Sequence, residues 1–216
     1  MLPLLLALAA EPPRVQAARS ASQQQIAQEF AQARVQYPPR RVLLRAFKRN
    51  RELELWAGGA RGPLSLITRY AICRSSGTLG EKTRAGDGQV PEGFYEISGL
   101  NPGSAFLLSL RVSYPNARDR ALRHTGGDIF IHGSCVTVGC IPIEDRPIQE
   151  LYVIAADARA AGARLEVHIF PARDFAGLPP SDFWDNLREG KELFERTHVP
   201  PRVSVDAHGR YRFGVP

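Results

Sequence analysis

The chain has 216 residues, 44% of them hydrophobic and 23% charged, with 19 glycines, 17 prolines and a formal net charge of +6. These proportions exclude a disordered chain or a collagen-like fibre, and a chain this long buries about 70% of its unfolded surface. The longest apolar run, residues 2–10, falls well short of the roughly 20 residues that cross a bilayer, so no integral membrane segment is expected.

Residues 1–10, MLPLLLALAA, join an apolar stretch to an Ala7-x-Ala9 pattern and read as a secretory leader, although no Lys or Arg precedes the stretch. Export would place the protein in the periplasm or cell envelope. Residues 11–39 read as an N-terminal helix or tether, in which Val15, Ile26, Phe30, Ala33 and Val35 form a helical stripe ended by Pro38-Pro39. One domain is expected over residues 40–216. It opens with a hairpin over 41–59 that turns at Arg49-Asn50, followed by a strand over 64–73. The glycine-rich stretch 75–97 reads as a long loop that enters another strand at Phe94-Tyr95.

Strand-like runs recur over 105–114 and 128–133. Asp145 is expected to cap a helix with Pro147 in its first turn, an apolar face of Ile148, Leu151, Tyr152 and Ala155, and a stop at Gly162. A strand over 164–172 and a helix over 181–197, with Phe183, Leu187 and Phe194 on one side, complete the pattern. The fold class is mostly β with flanking helices, α+β. The oligomeric state is not encoded in any readable feature.

The basic excess gathers at Arg40, Arg41, Arg45, Lys48, Arg49 and Arg51, around Phe47. Such a cluster can be drawn as a phosphate-binding stripe, but no nucleic-acid motif follows it. It reads instead as a solvated arginine-rich surface with no nucleic-acid partner, and a carboxylate-bearing cell wall would suit it equally.

The densest reactive segment is GGDIFIHGSCVTVGCIPIED, residues 126–145, with one histidine and two cysteines inside nine residues. Nucleophilic cysteine catalysis needs a thiol, a base within reach, a group that orients the base, and donors for the oxyanion. Cys140 behind Gly139, His132 at the end of an apolar strand, the Gly133 carbonyl and backbone N–H groups can fill these roles. Three other readings stay open on the residues alone. His132, Cys135 and Cys140 are a partial zinc set; Cys135 and Cys140 are a redox pair without C-x-x-C spacing; or the histidine and cysteine are structural. Cys73 is a candidate partner for Cys135 in an oxidising compartment, which would leave Cys140 free, though spacing does not fix connectivity. GEKT at 80–83 breaks the phosphate-loop spacing, and no G-x-S-x-G surrounds Ser75, Ser104 or Ser134.

The order of motifs resembles the L,D-transpeptidase catalytic domain (YkuD) family, most closely its YafK-like branch, over roughly residues 40–205. The resemblance rests on ICRSSGTLGEKTRAGDGQVPEGFYEI (72–97), SYPNARD (113–119), FIHGSCVTVGC (130–140), IQELYVI (148–154), VHIFPAR (167–173) and FWDNLREG (183–190). It implies a β-sandwich or barrel with flanking helices. It makes Cys140 the nucleophile, His132 the base, the Gly133 carbonyl the orienting group, and the Gly139 and Cys140 N–H groups the oxyanion hole. Two positions depart from the wider family: Val138 stands where a second histidine is usual, and Pro142 where Arg or Asn is usual. The His132 to Cys140 spacing is also shorter.

The implied substrate is a peptidoglycan stem peptide, cleaved at the L-centre of meso-diaminopimelate through a thioester. Transfer to an amine gives L,D-transpeptidation; transfer to water gives an L,D-carboxypeptidase, or an amidase releasing a wall-linked lipoprotein. No metal or organic cofactor is implied. Arg74, Arg84 and Arg111 are candidates for holding stem carboxylates, since a guanidinium fork matches a carboxylate. His124 is a candidate for lining the approach, Asp128 reads as a surface residue and His168 as structural. The alternative is a catalytically silent peptidoglycan-binding module, whose thiol would resist alkylation where an active nucleophile would have a depressed pKa.

Overall fold

A computed structural model describes residues 10–214. The expected leader at 1–10 lies almost wholly outside the described residues. The described residues form ten strands and four helices, and eight of the strands join in one curled mixed sheet. They are β1 Arg41–Phe47, β2 Glu52–Gly58, β3 Ser65–Ala71, β4 Gly93–Asn101, β5 Ser109–Val112, β6 Phe130–His132, β7 Ile141–Pro142 and β8 Arg164–Phe170. The order across the sheet is β3-β2-β1-β8-β4-β5-β6-β7, with parallel pairs only at β1/β8 and β6/β7. Helices α1 Pro13–Gln32, α2 Ala117–Ala121, α3 Asp145–Ala160 and α4 Asp182–Thr197 flank the sheet, and β9 Arg202–Val205 pairs with β10 Tyr211–Gly214 as a separate hairpin.

The central strands explain the layering. Side chains alternate across a strand, so RVLLRAF sends Val42, Leu44 and Ala46 to one face and Leu43, Arg45 and Phe47 to the other. All six are buried, as expected for a strand covered on both sides. Val42, Leu44, Val167 and Ile169 join α1 and α3 in the main core, where Val15, Ile26 and Phe30 meet Ile148, Leu151 and Ala155. On the opposite face Phe47, Phe94 and Phe170 pack with Trp184 and Leu187 of α4 and with Tyr211. The N-terminal helix is therefore part of the domain core. Arg19 ties it down by donating to both carboxylate oxygens of Asp157 on α3, at 2.7 and 2.8 Å.

Several expectations are corrected. Arg45 and Lys48 belong to no solvated stripe: both point inward, Arg45 to Glu54 (3.2 Å) and Glu195 (2.9 Å), Lys48 to Glu92 (2.8 Å). Asp145 caps nothing. Glu144 occupies the N-cap position of α3 without a side-chain cap, and the Asp145 carboxylate accepts the Ser134 N–H instead, at 2.7 Å. On α4, Trp184 is buried and Phe183 only partly so, its ring lying under the Arg118 guanidinium. The run 105–114 is strand only over Ser109–Val112, because Leu107 turns with a φ of 69°. Helix α2 and the β9/β10 hairpin were not anticipated. The first is marked by a capping box, Asn116 with Asp119; the second by the alternation of Val203 and Val205 before a turn at Asp206 to Gly209.

One buried carboxylate makes stability depend on pH. Glu150 of α3 accepts the Tyr70 hydroxyl at 2.6 Å and faces Glu29 of α1. Burial, opposed by the Tyr70 bond and reinforced by Glu29, pushes Glu150 up to about 7. A carboxyl raised in the folded state contributes stability below its unfolded pKa, and that contribution is lost as pH rises through the folded value. Thermal melts at pH 5.5 and pH 8 are therefore expected to differ in wild type, and Glu150→Gln should narrow the gap by stabilising the pH 8 protein by on the order of 2 kcal/mol. An unchanged gap would refute the assignment.

Candidate active site

The segment around Cys140 is built by the far edge of the sheet. β6 runs parallel to β7, with Ile131 opposite Ile141 and His132 opposite Pro142. Cys140 immediately precedes β7, and its Sγ receives the Phe130 N–H at 3.4 Å and lies 3.6 Å from the Asp128 carbonyl. Gly139 sits at a φ of 84°, and an added Cβ would come within 3.3 Å of the Gln89 carbonyl, so glycine meets both a backbone and a space requirement. Gly133 is equally constrained: a Cβ there would meet Asp145 Oδ1 at 2.7 Å and the Phe106 carbonyl at 2.8 Å.

His132 is buried beneath the Phe106 ring, with centroids 4.6 Å apart. Its Nδ1 lies 2.6 Å from the Gly133 carbonyl. That carbonyl can only accept, so Nδ1 carries the proton and Nε2 is left as the basic nitrogen. No hydrogen bond joins His132 to Cys140 among the described residues. The two residues sit at the same edge of the sheet: Cys140 Sγ meets the backbone of Phe130, two residues before His132 on β6.

The electrostatics describe a resting thiol. Burial pushes Cys140 above its ordinary value, and Asp128 adds to this, while the Phe130 N–H and Lys82 act against it. Burial also lowers His132, with the Gly133 carbonyl opposing. Both directions favour a thiol beside a neutral imidazole, the resting state that the silent-module alternative requires. Iodoacetamide labelling of Cys140 in the folded protein is expected to be slow at pH 7 and to keep rising beyond the pH at which an unfolded-state cysteine levels off. A plateau below pH 7 would contradict this.

Both N–H groups assigned to an oxyanion hole already have acceptors. Gly139 N–H donates to Ser76 Oγ at 2.7 Å, and Cys140 N–H donates to Thr137 Oγ1 at 3.1 Å. Ser76 Oγ in turn donates to the Gly88 carbonyl at 2.9 Å, so the loop 75–92 is fastened across the cysteine turn. The recess beside the thiol, lined by Ala46, Lys48, Arg74, Val90 and Ile141, holds about 10 Å³. Ser76 and Thr137 were missed in the sequence. Only the hydroxyl three residues before Cys140 had a local signal; Ser76 is 63 residues from Gly139.

The remaining candidates divide. Arg74 reaches the thiol recess and is exposed. Arg111 pairs with Asp128 at 3.0 Å, next to the carbonyl that contacts Cys140. Arg84 is exposed on the loop, where its own N–H and carbonyl bind Asp87 and Lys82. His124 is turned toward Asp119 at 3.4 Å and is not among the residues lining the recess. His168 lies at the opposite face of the sheet.

Cys73 and Cys135 form a disulfide with Cα atoms 5.8 Å apart, and Cys140 is free. The bond closes a span of 62 residues, worth about 4 kcal/mol in a chain-entropy account, and anchors the His132 turn to the end of β3. It removes the second cysteine from both the zinc and the redox-pair readings. Cys73, Cys135 and Glu144 do cluster, but two of those three ligands are joined to each other. No helix among the described residues is long and apolar enough to cross a membrane.

No family model matches the chain. Its sequence is 34% identical over 209 residues to "Putative L,D-transpeptidase YafK" of Escherichia coli K12, covering 91% of this chain and 82% of the relative. The chain belongs to the L,D-transpeptidase family. The relative in Escherichia coli O157:H7 gives the same figures. The fold is also that of the helical cell shape determining protein Pgp2 (K307A mutant) from Campylobacter jejuni, with a TM-score of 0.50 and 20% identity. That likeness covers 76% of this chain, which spans 58% of the Pgp2 structure. Family membership accords with the motif order and with the curled mixed sheet, at whose edge the His-Gly and Gly-Cys turns flank the paired strands β6 and β7.

Proposed function

We propose that the protein is a cysteine acyltransferase or peptidase of the bacterial cell wall, working in the periplasm or cell envelope. The observation that carries this reading is one arrangement: a free thiol at a glycine-dependent turn, beside a neutral histidine whose tautomer is fixed by the Gly133 carbonyl, in a chain of this family. The substrate is the stem peptide of peptidoglycan, opened at the amide carbonyl of the L-centre of meso-diaminopimelate.

The first step moves one proton and makes one bond. His132 Nε2 takes the Cys140 proton, the sulfur attacks the carbonyl carbon, and the oxyanion forms. For that oxyanion to be held by the Gly139 and Cys140 N–H groups, it must displace Ser76 Oγ and Thr137 Oγ1 as their acceptors. The imidazolium then protonates the leaving amine, the C–N bond breaks, and a thioester remains. An incoming amine or water, deprotonated by His132, resolves it. An amine yields a cross-linked or exchanged peptide; water yields a trimmed stem, or frees a lipoprotein that had been linked through its lysine.

Incubation with diaminopimelate-containing muropeptides, with and without a D-amino acid, separates these outcomes by product mass. Exchange only in the presence of the amino acid identifies transfer; a trimmed product in both identifies hydrolysis. A second reading has its own support. The raised thiol, the filled backbone donors and the small recess suit a catalytically silent peptidoglycan-binding module. That reading requires salt-sensitive binding to sacculi that survives Cys140→Ala, and no product from wild type at any pH.

A further inference from the structure

The face of the sheet opposite the thiol carries a second concavity. A cleft of about 670 Å³ opens between the first residues of β1 and β8, strand β4, helix α2 and the segment 199–205. This lies within the volume range of small-ligand sites. The register places it. Arg41 pairs with Arg164, Glu96 with Glu166 and Phe94 with His168, so these side chains share one face. Ala46 and Lys48, which border Cys140, lie an odd number of residues from Arg41 and project to the other face. The cleft is thus not an extension of the thiol site.

Its charges are of both signs and unevenly satisfied. Four arginines, Arg41, Arg120, Arg164 and Arg202, stand against Glu96 and Glu166. Arg164 is paired with Glu96, and Arg41 donates to the carbonyls of Gly59 and Gly62. Arg120 uses one nitrogen on the Pro115 carbonyl, and the Arg202 guanidinium has no hydrogen bond or ion pair among the described residues. Both are exposed at the rim. Deeper in, Glu166 has no ion-pair partner within 3.5 Å, its closest being His168 Nε2 at 3.7 Å. Burial alone would raise the Glu166 carboxyl, but His168, Arg164 and Arg41 outweigh it and keep it ionised. His168 is 1% exposed, and its Nδ1 has no partner. An unpartnered buried nitrogen costs free energy unless something supplies the missing bond.

We propose that this cleft binds the zwitterionic end of a short peptide, its carboxylate on Arg202 and Arg120 and its ammonium group at Glu166 and His168. If the protein acts on stem peptides, the free D-centre of meso-diaminopimelate is such an end, because it carries both groups on one carbon; this identification of the ligand rests on the function proposed above. The enzyme would then grip the wall at a point separate from the bond it cleaves.

The test is a titration of the isotopically labelled full chain, carrying Cys140→Ala to stop turnover, with a stem tripeptide ending in meso-diaminopimelate. Amide resonances near Arg202, Glu166 and Asn116 should shift and saturate. Binding should weaken at least tenfold in Arg202→Gln, in Arg120→Gln, and when either charged end of the probe is capped. Shifts confined to the surroundings of residue 140, equal binding of the capped probe, or equally tight saturation by inorganic phosphate would each overturn the proposal. Thioester formation on wild-type protein is read separately. Cleft binding without a thioester leaves this inference standing and removes the catalytic reading; a thioester without cleft shifts does the reverse.

Discussion

Cys140→Ala is expected to abolish turnover of diaminopimelate-containing peptides, by at least about a thousandfold, while leaving the thermal midpoint close to that of wild type. The activity loss follows from removing the only free thiol among the described residues. The small structural effect follows from its contacts: the sulfur is half-buried and makes only long interactions, at 3.4 Å to the Phe130 N–H and 3.6 Å to the Asp128 carbonyl. Product analysis beside a melting curve checks both parts. Equal products from variant and wild type would remove Cys140 from the mechanism.

The largest effect on stability is expected at Glu92. Its carboxylate, wholly buried, receives Lys48 Nζ at 2.8 Å, the Gly80 N–H at 2.8 Å and Trp184 Nε1 at 2.7 Å. One side chain thereby joins β1, the loop over the cysteine turn and α4. Glu92→Ala leaves Lys48 as an uncompensated buried cation, a loss of about 3–5 kcal/mol. For a domain of this size that lowers the midpoint by roughly 10 °C. Burial already pushes Lys48 below its ordinary value, with Glu92 opposing the shift, so removing Glu92 should lower the Lys48 pKa further. Glu92→Gln, whose single amide oxygen can accept from Trp184 or from Gly80 but not from both, should lie between Glu92→Ala and wild type. A midpoint for Glu92→Ala within a degree or two of wild type would contradict this account.

Much of the scaffold was readable because its signals are local. Periodicity marked α3 and α4, alternation and a polar turn marked the β1/β2 hairpin, and the spacing of His132, Gly133, Gly139 and Cys140 marked the cysteine segment. What was missed depends on partners far along the chain. Arg45 and Lys48 read as surface because their partners, Glu195 and Glu92, lie 150 and 44 residues away in the chain. Asp145 has the composition of a helix cap, yet its target is the Ser134 N–H, 11 residues earlier, so it steadies the histidine turn. The filled state of the Gly139 N–H needs Ser76, from a loop whose path no local pattern fixes. The family departures have a structural counterpart. Val138, which replaces the usual histidine, is 80% exposed and makes no contribution to the core, and Pro142 pairs directly opposite His132.

In the proposed mechanism Cys140 forms a thioester with a stem peptide. Intact-mass measurement of wild-type protein, quenched in acid during incubation with diaminopimelate-containing tetrapeptide, tests it most directly. An adduct of the acyl-peptide mass is expected, mapped to Cys140, cleaved by hydroxylamine and absent from Cys140→Ala. Turnover without any adduct on Cys140, or an adduct that persists in the variant, would contradict it.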